Sequence, residues 1–121
     1  MSGDRMRRVD EAVREVLGDA VSRDLKDPRI GFVTVTDVRT TSDLRHARVF
    51  VSVLGKPAEQ EATLDGLRSA HGILQSRIAR ELRMKRTPTL EFALDHTAER
   101  AARMEALIDD VVSHEPEEDG R

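Results

Sequence analysis

The chain has 121 residues, no cysteine, tyrosine or tryptophan, and a formal net charge of −3 at pH 7. This length suits one domain with its own hydrophobic core, and the lack of cysteine excludes disulfides, zinc–thiolate sites and a cysteine nucleophile. No apolar run approaches the ~20 residues that a membrane span needs, and the polar segment 1–8 lacks the apolar core of a secretory signal.

Charge is distributed unevenly along the chain. Residues 113–121 hold four acidic side chains and one basic, so residues 1–112 are close to neutral. Within them, residues 68–86 hold six basic side chains and one acidic. Three phenylalanines are the only aromatic residues, which argues against recognition modules built on aromatic stacking platforms. The local charge therefore favours an anionic partner although the chain as a whole is acidic.

The first half of the chain predicts one helix followed by a β-hairpin. Apolar residues recur at three- and four-residue spacing over residues 4–23, which is typical of an amphipathic helix. Residues 32–40 are rich in β-branched side chains, and residues 45–54 alternate apolar with polar side chains. The polar link between these two strands is short, which favours antiparallel pairing.

The second half predicts two helical segments, a strand and a last helix. The helical pattern over 58–71 and 72–84 is interrupted at Ala70-His71-Gly72, because a glycine inside a helix costs about 1 kcal/mol relative to alanine. Residues 89–95 alternate as a third strand, and the last amphipathic helix spans 97–112. The element order predicts a two-layer α+β domain over residues 1–112, followed by an acidic, disordered tail over 113–121.

The second helical segment carries a run of cations. At about 100° per residue, its leucines and isoleucine share one side and three of its arginines lie on the other. A bent helix pair with such a face could grip a phosphate backbone. The candidate RNA-binding residues are Arg68, Arg77, Arg80, Arg83, Lys85 and Arg86, with Arg7 and Arg8 of the first helix as further contacts.

The same residues have a structural interpretation. Exposed helical arginines commonly provide solubility and local ion pairs, and Arg77 and Glu81 have the i,i+4 spacing of such a pair. The residues alone therefore leave two kinds of partner open. One is a nucleic acid, and the other is an acidic protein that docks on the arginine face.

Motifs for catalysis or metal binding are missing from the sequence. The four histidines are scattered, and no serine, glycine-rich or paired-acid pattern matches a nucleophile, a phosphate loop or an acid/base dyad. We therefore expect no enzymatic activity, no metal and no cofactor, and a hydrolase is disfavoured.

Several segments together resemble the ribosome-binding factor A family over roughly residues 3–110. None is a catalytic signature, but their order and spacing are specific. They are Lys26-Asp27-Pro28-Arg29-Ile30-Gly31, Val33-Thr34-Val35-Thr36-Asp37-Val38, Asp43-Leu44, Val51-Ser52, Leu54-Gly55, Ala70-His71-Gly72, Pro88 and Leu90-Glu91-Phe92.

The resemblance implies a type II KH-like domain of order αββααβ with a C-terminal helix. In this family an A-x-G interruption, here Ala70-His71-Gly72, replaces the G-x-x-G loop with which KH domains clamp a nucleic-acid backbone. Binding would then depend on side-chain cations. The resemblance also implies a cytoplasmic, non-enzymatic assembly factor that binds the free small ribosomal subunit and its rRNA. Such a factor assists late maturation and 5′-end processing of that rRNA and supports growth in the cold. We expect a monomer with no membrane attachment.

Overall fold

The computed structural model describes residues 2–97 and 104 and confirms the predicted order of elements up to the third strand. Thr97 and Met104 are helical, whereas the rest of the predicted last helix and the acidic tail lie outside the described residues. The elements are α1 Ser2–Arg23, β1 Val33–Thr40, β2 His46–Val53, α2 Pro57–Ser69, α3 His71–Leu82 and β3 Thr89–Leu94.

The three strands form one sheet in the order β1-β2-β3. The hairpin strands β1 and β2 pair antiparallel, with an irregularity in the register between Val35 and Asp37. Strand β3 pairs parallel to β2, from His46 opposite Thr89 to Val51 opposite Leu94. A parallel neighbour requires a crossover, which α2 and α3 supply. The fold is therefore the α+β, type II KH-like arrangement that the resemblance implies.

The helices cover one face of the sheet because each strand presents its apolar side chains to that face. In β2 the residues Ala47, Val49, Val51 and Val53 are buried, and the intervening side chains lie on the opposite face. Alternation with period two is what a sheet with one covered face requires. The core residues are Val13, Val16, Leu17, Ala20, Val21, Val35, Val38, Ala47, Val49, Val51, Val53, Leu64, Leu67, Ala70, Leu74, Ile78, Leu90 and Phe92.

One end of the domain gathers segments that are distant in sequence. At this end β1 finishes while β2 and β3 begin, so the β1–β2 turn and the end of the α3–β3 loop meet there. The Thr89 amide donates to the Arg45 carbonyl oxygen at 2.8 Å, and the Thr40 amide donates to Asp10 Oδ1 at 2.9 Å. The part of α1 around Asp10, the β1–β2 turn and the start of β3 therefore lie together.

The turn before β1 is attached to α2 by side-chain hydrogen bonds. Thr63 Oγ1 donates to the Arg29 carbonyl oxygen at 3.2 Å and accepts from the Gly31 amide at 3.3 Å. A Cβ at Gly66 would lie 2.6 Å from Ile30 Cγ1, so this glycine permits the close approach of turn and helix.

Candidate nucleic-acid interface

The predicted helix interruption lies at Ala70, between α2 and α3. The Ala70 amide donates to the carbonyl oxygens of Gly66 and Leu67, both at 3.1 Å, and its own carbonyl accepts the Leu74 amide at 3.0 Å. Gly72 is an ordinary helical residue with open space beside its Cα, and it has no left-handed φ. The break therefore lies at the first residue of the predicted Ala70-His71-Gly72 interruption, and Gly72 belongs to the first turn of α3.

His71 and Gln75 connect α3 to the segment that leads into β3. The Leu90 amide donates to His71 Nε2 at 3.1 Å, and Gln75 Nε2 donates to the Pro88 carbonyl oxygen at 2.8 Å. The middle residue of the interruption is thus half-buried against β3. It occupies a structural position that helical periodicity did not predict.

Arg77 does not face solvent, which corrects the sequence prediction for this residue. Its side chain is 15% exposed and forms ion pairs with three carboxylates. Nη1 donates to Asp24 Oδ2 at 2.6 Å, Nε donates to Glu81 Oε2 at 2.6 Å, and Nη2 donates to Asp19 Oδ2. These bonds to Glu81, Asp24 and Asp19 raise the pKa of Arg77 even further above its usual range. The predicted i,i+4 pair with Glu81 is confirmed, and α1 supplies the partners that sequence spacing could not reveal.

Arg68 lies on α2, on the other side of the interruption, and is also paired. Its Nη1 is 3.0 Å from Asp65 Oδ1 and 3.4 Å from Glu61 Oε2. The side chain is half exposed and borders a cavity of about 510 Å³ beside β3, which His46 and Glu91 also line. An anion bound there would compete with two local carboxylates.

Four of the sequence candidates are exposed and have no ion pair within the part of the chain that the structure describes. They lie at the end of α3 and in the loop that follows, and Arg83 ends the helix with a left-handed φ of 53°. Such side chains keep all their donors available to an external anion. These residues are Arg80, Arg83, Lys85 and Arg86.

The topology brings a further cation, Arg45, beside Thr89, where the loop after α3 joins the sheet. Its carbonyl oxygen accepts the Thr89 amide, and its own amide donates to Asp43 Oδ1 at 3.0 Å. Asp43 also accepts the Thr41 hydroxyl at 2.6 Å, and these two bonds lower the pKa of the Asp43 carboxyl. The turn that carries Arg45 is therefore fixed, and the exposed Arg45 side chain has no ion pair among residues 2–97 and 104.

We give one name, the cationic end, to five exposed cations at the end of α3, in the loop after it and beside the start of β3: Arg45, Arg80, Arg83, Lys85 and Arg86. Sequence reasoning missed Arg45 because it placed this residue at the start of a strand. Only the parallel pairing of β2 with β3 brings Arg45 next to the loop after α3. No local pattern around residue 45 signals this neighbour.

The two candidates on α1 differ from each other. Arg7 is exposed and borders a cavity of about 240 Å³ that is also lined by Asp10, Glu11 and Asp37. Arg8 is exposed and forms no ion pair with the rest of the described chain. The hydrogen bond from the Thr40 amide to Asp10 places this part of α1 beside the end of β1. Arg8 is therefore the stronger candidate for extending the cationic end.

The fold and the side chains define a class of protein, a small KH-like α+β domain with exposed cations at the end of its third helix, in the following loop and on the β1–β2 turn. No described helix has the length and apolar character to cross a membrane. Unpaired guanidinium and ammonium groups on a fixed surface are the chemistry with which proteins hold phosphate oxygens.

The chain belongs to the ribosome-binding factor A family. The family model described as "Ribosome-binding factor A" matches residues 5–108. A relative of that name from Halorhodospira halophila is 47% identical over 108 residues, which cover 88% of this chain and 86% of the relative.

Solved structures of the family share this fold. The crystal structure of ribosome-binding factor A from Thermus thermophilus matches with a TM-score of 0.67 and 29% identity, over 74% of this chain and 93% of that one. The solution structure of a Thermotoga maritima protein described as a putative ribosome-binding factor A matches with a TM-score of 0.68 and 33% identity, over 74% of this chain and 85% of that one. A homology model of the Thermus thermophilus protein, fitted into a cryo-EM map of a 30S–RbfA complex, matches with a TM-score of 0.60 and 30% identity. The match covers 70% of this chain and 89% of that one.

Proposed function

We propose that this protein binds the free small ribosomal subunit as an assembly factor and that its cationic end contacts small-subunit rRNA. Family membership over residues 5–108 carries the proposal, and the Thermus relative has been fitted into a map of a 30S complex. The five residues of the cationic end supply the contacts, since exposed cations without internal partners lose no ion pair when they meet phosphates. Arg8 and the half-exposed Arg68 add contacts at the margins.

The protein acts by binding, with no catalytic step of its own. Phosphate contacts fix position and orientation but carry little sequence information, so recognition depends on the folded shape of the rRNA. A binding protein can shift the subunit between conformations only by its difference in affinity for them. We propose that this difference favours late maturation and 5′-end processing of the small-subunit rRNA in the cytoplasm, with the largest benefit to growth in the cold.

Sedimentation tests the binding. Purified protein is centrifuged with free small subunits, free large subunits and joined ribosomes, each at two salt concentrations. We expect salt-sensitive comigration with free small subunits alone. Absence of comigration at low salt would refute the proposal. A pull-down from a lysate with the purified protein tests the alternative. If ribonuclease leaves the captured material unchanged and protease removes it, an acidic protein partner is favoured instead.

Processing requires a separate experiment in cells. Cells that lack the protein should accumulate small-subunit rRNA with an unprocessed 5′ end, more strongly at low temperature, and primer extension measures that end directly. A variant that folds but lacks the cationic end should fail to restore processing. Mature 5′ ends at every temperature without the protein would restrict the function to binding.

A further inference from the structure

The connection between α3 and β3 suggests a second role for the helix interruption. His71 and Gln75 are four residues apart and therefore lie on one face of α3. One accepts the Leu90 amide and the other donates to the Pro88 carbonyl oxygen. Both bonds hold the point where the cationic loop, residues 83–88, joins the sheet. We call this pair of hydrogen bonds the α3–β3 latch.

The bond to Leu90 lies at the free edge of the sheet. The Thr89 amide points toward β2, where it meets the Arg45 carbonyl oxygen. Since amides alternate in direction along a strand, the Leu90 amide points away from β2, where no further strand is paired among the described residues. His71 Nε2 is its acceptor, and an imidazole nitrogen accepts a hydrogen bond only when it carries no proton.

We propose that His71 and Gln75 are positioning residues that hold the cationic loop for rRNA, and that proton uptake by His71 opens the latch and weakens binding. This inference rests on the proposed function. A protonated imidazole has two donors and no acceptor, so the Leu90 amide loses its partner. The loop then becomes less ordered, and fixing it on the rRNA costs conformational entropy.

The sign of the pH effect distinguishes the latch from simple electrostatics. On the other side of Leu90, the cavity that this residue borders is also lined by three titratable or charged side chains, His46, Arg68 and Glu91. A histidine that acts only through its charge strengthens binding to RNA when it gains a proton. The latch predicts the opposite for His71, because its proton removes a hydrogen bond that orders the loop.

Nitrogen NMR of the isolated protein tests the latch without ribosomes. At a pH where His71 is neutral, we expect the proton on Nδ1, a bare Nε2 and slow hydrogen exchange at the Leu90 amide. Protonation should speed that exchange. Either of two results would contradict the latch, whatever the protein binds. One is a proton on Nε2 of neutral His71, and the other is a rate of hydrogen exchange at the Leu90 amide that does not change when His71 is protonated.

Affinity for free small subunits is then measured from about pH 8 to about pH 5.5, the range in which imidazoles titrate. His71→Gln keeps an acceptor of similar reach and takes up no proton. Its affinity should match wild type at the upper pH and exceed it about fivefold at the lower one. His71→Leu removes the acceptor, so it should bind about fivefold more weakly than wild type at the upper pH and equally at the lower one.

His46→Gln is the matched control, since it removes an exposed imidazole from the same neighbourhood without touching the latch. It should bind no more tightly than wild type at low pH. A constant ratio between wild type and His71→Gln across the range, or weaker low-pH binding by His71→Gln, would overturn the inference. If wild type fails to bind small subunits at all, the proposed function fails and so does the predicted effect on affinity. The NMR result still decides the latch itself.

Discussion

Arg77 and Arg80 occupy the same helix, three residues apart, yet their environments are opposite. Arg77 is largely buried and bonded to Asp19, Asp24 and Glu81, whereas Arg80 is exposed, with no ion pair in the described part of the chain. A run of arginines in a sequence therefore contains two kinds of residue. One kind stabilises the packing of α3 on α1, and the other faces solvent.

The difference arises from the neighbouring helix. Helix α1 presents an aspartate to one side of α3 and a second follows directly after its last residue, so an arginine on that side finds carboxylates already in place. A guanidinium with its donors occupied must break those bonds before it can meet a phosphate. An exposed guanidinium gives up only water, so the RNA contact that we propose falls to the cationic end, whereas Arg77 supports the structure.

The largest expected effect comes from neutralising the exposed set. Arg80→Gln, Arg83→Gln and Arg86→Gln combined should weaken binding to free small subunits about 30-fold at low salt. The slope of log affinity against log salt should fall by up to about one per lost phosphate contact. The unfolding temperature should stay nearly constant, because these side chains have no ion pair within the described residues. Unchanged affinity in a folded triple variant would remove the cationic end from the mechanism.

Arg77→Gln should show the reverse pattern. We expect its Tm to fall by roughly 5 °C because three carboxylates lose their common partner. The salt slope of binding by the folded protein should be unchanged. Arg80→Gln is the matched control on the same helix and should shift Tm by about 1 °C or less. Equal Tm values for the two variants would abolish the distinction between the two kinds of arginine.

A smaller loss of small-subunit binding is expected for Arg45, the residue that the strand pairing brings beside the start of β3. Arg45→Gln should weaken small-subunit binding about threefold and leave Tm unchanged, since one phosphate contact is lost and no ion pair within the described chain is broken. Arg39→Gln is the comparison, because Arg39 is also exposed on the hairpin but already pairs with Asp37 at 3.1 Å. Equal losses for both variants would mean that the hairpin contributes through overall charge alone.

Local patterns predicted the elements because burial of one face imposes the same period on each. The alternation along β2 and the spacing of Val13 and Leu17 on α1 indicate which side faces the core, and the structure confirms both. Ion pairs between elements have no such period. Asp24 and Arg77 lie 53 residues apart, so only the packing of α1 on α3 reveals their pairing.

The interruption at Ala70 also shows that local sequence patterns do not predict contacts between elements. Glycine propensity placed the break within residues 70–72, and the structure locates it at Ala70. The position of His71 against β3 depends on the crossover between parallel strands, as does the position of Arg45 beside Thr89. The sequence therefore predicted the local elements and the exposed cations at the end of α3 and after it, whereas contacts between distant segments determined the burial of Arg77 and the position of Arg45.

The smallest predicted effect concerns Arg29, a structural arginine at an exposed turn. Arg29 Nη2 donates to Asp27 Oδ2 at 2.6 Å, and its side chain is 46% exposed, compared with 15% for Arg77. The bonds from the Arg29 side chain and amide lower the pKa of Asp27 below 3.8. Because the pKa is lower in the folded state, this pair contributes its full stability well above pH 3.8 and loses it as pH falls through the folded value. Asp27→Asn should therefore lower the urea midpoint at neutral pH, and the curves of urea midpoint against pH for the variant and wild type should converge in acid.

The control is Glu15→Gln, which alters an exposed carboxylate with no salt bridge among residues 2–97 and 104. Its curve should follow wild type throughout. Parallel curves for Asp27→Asn and wild type would show that an ion pair at an exposed turn does not fix an arginine as the carboxylates around Arg77 do.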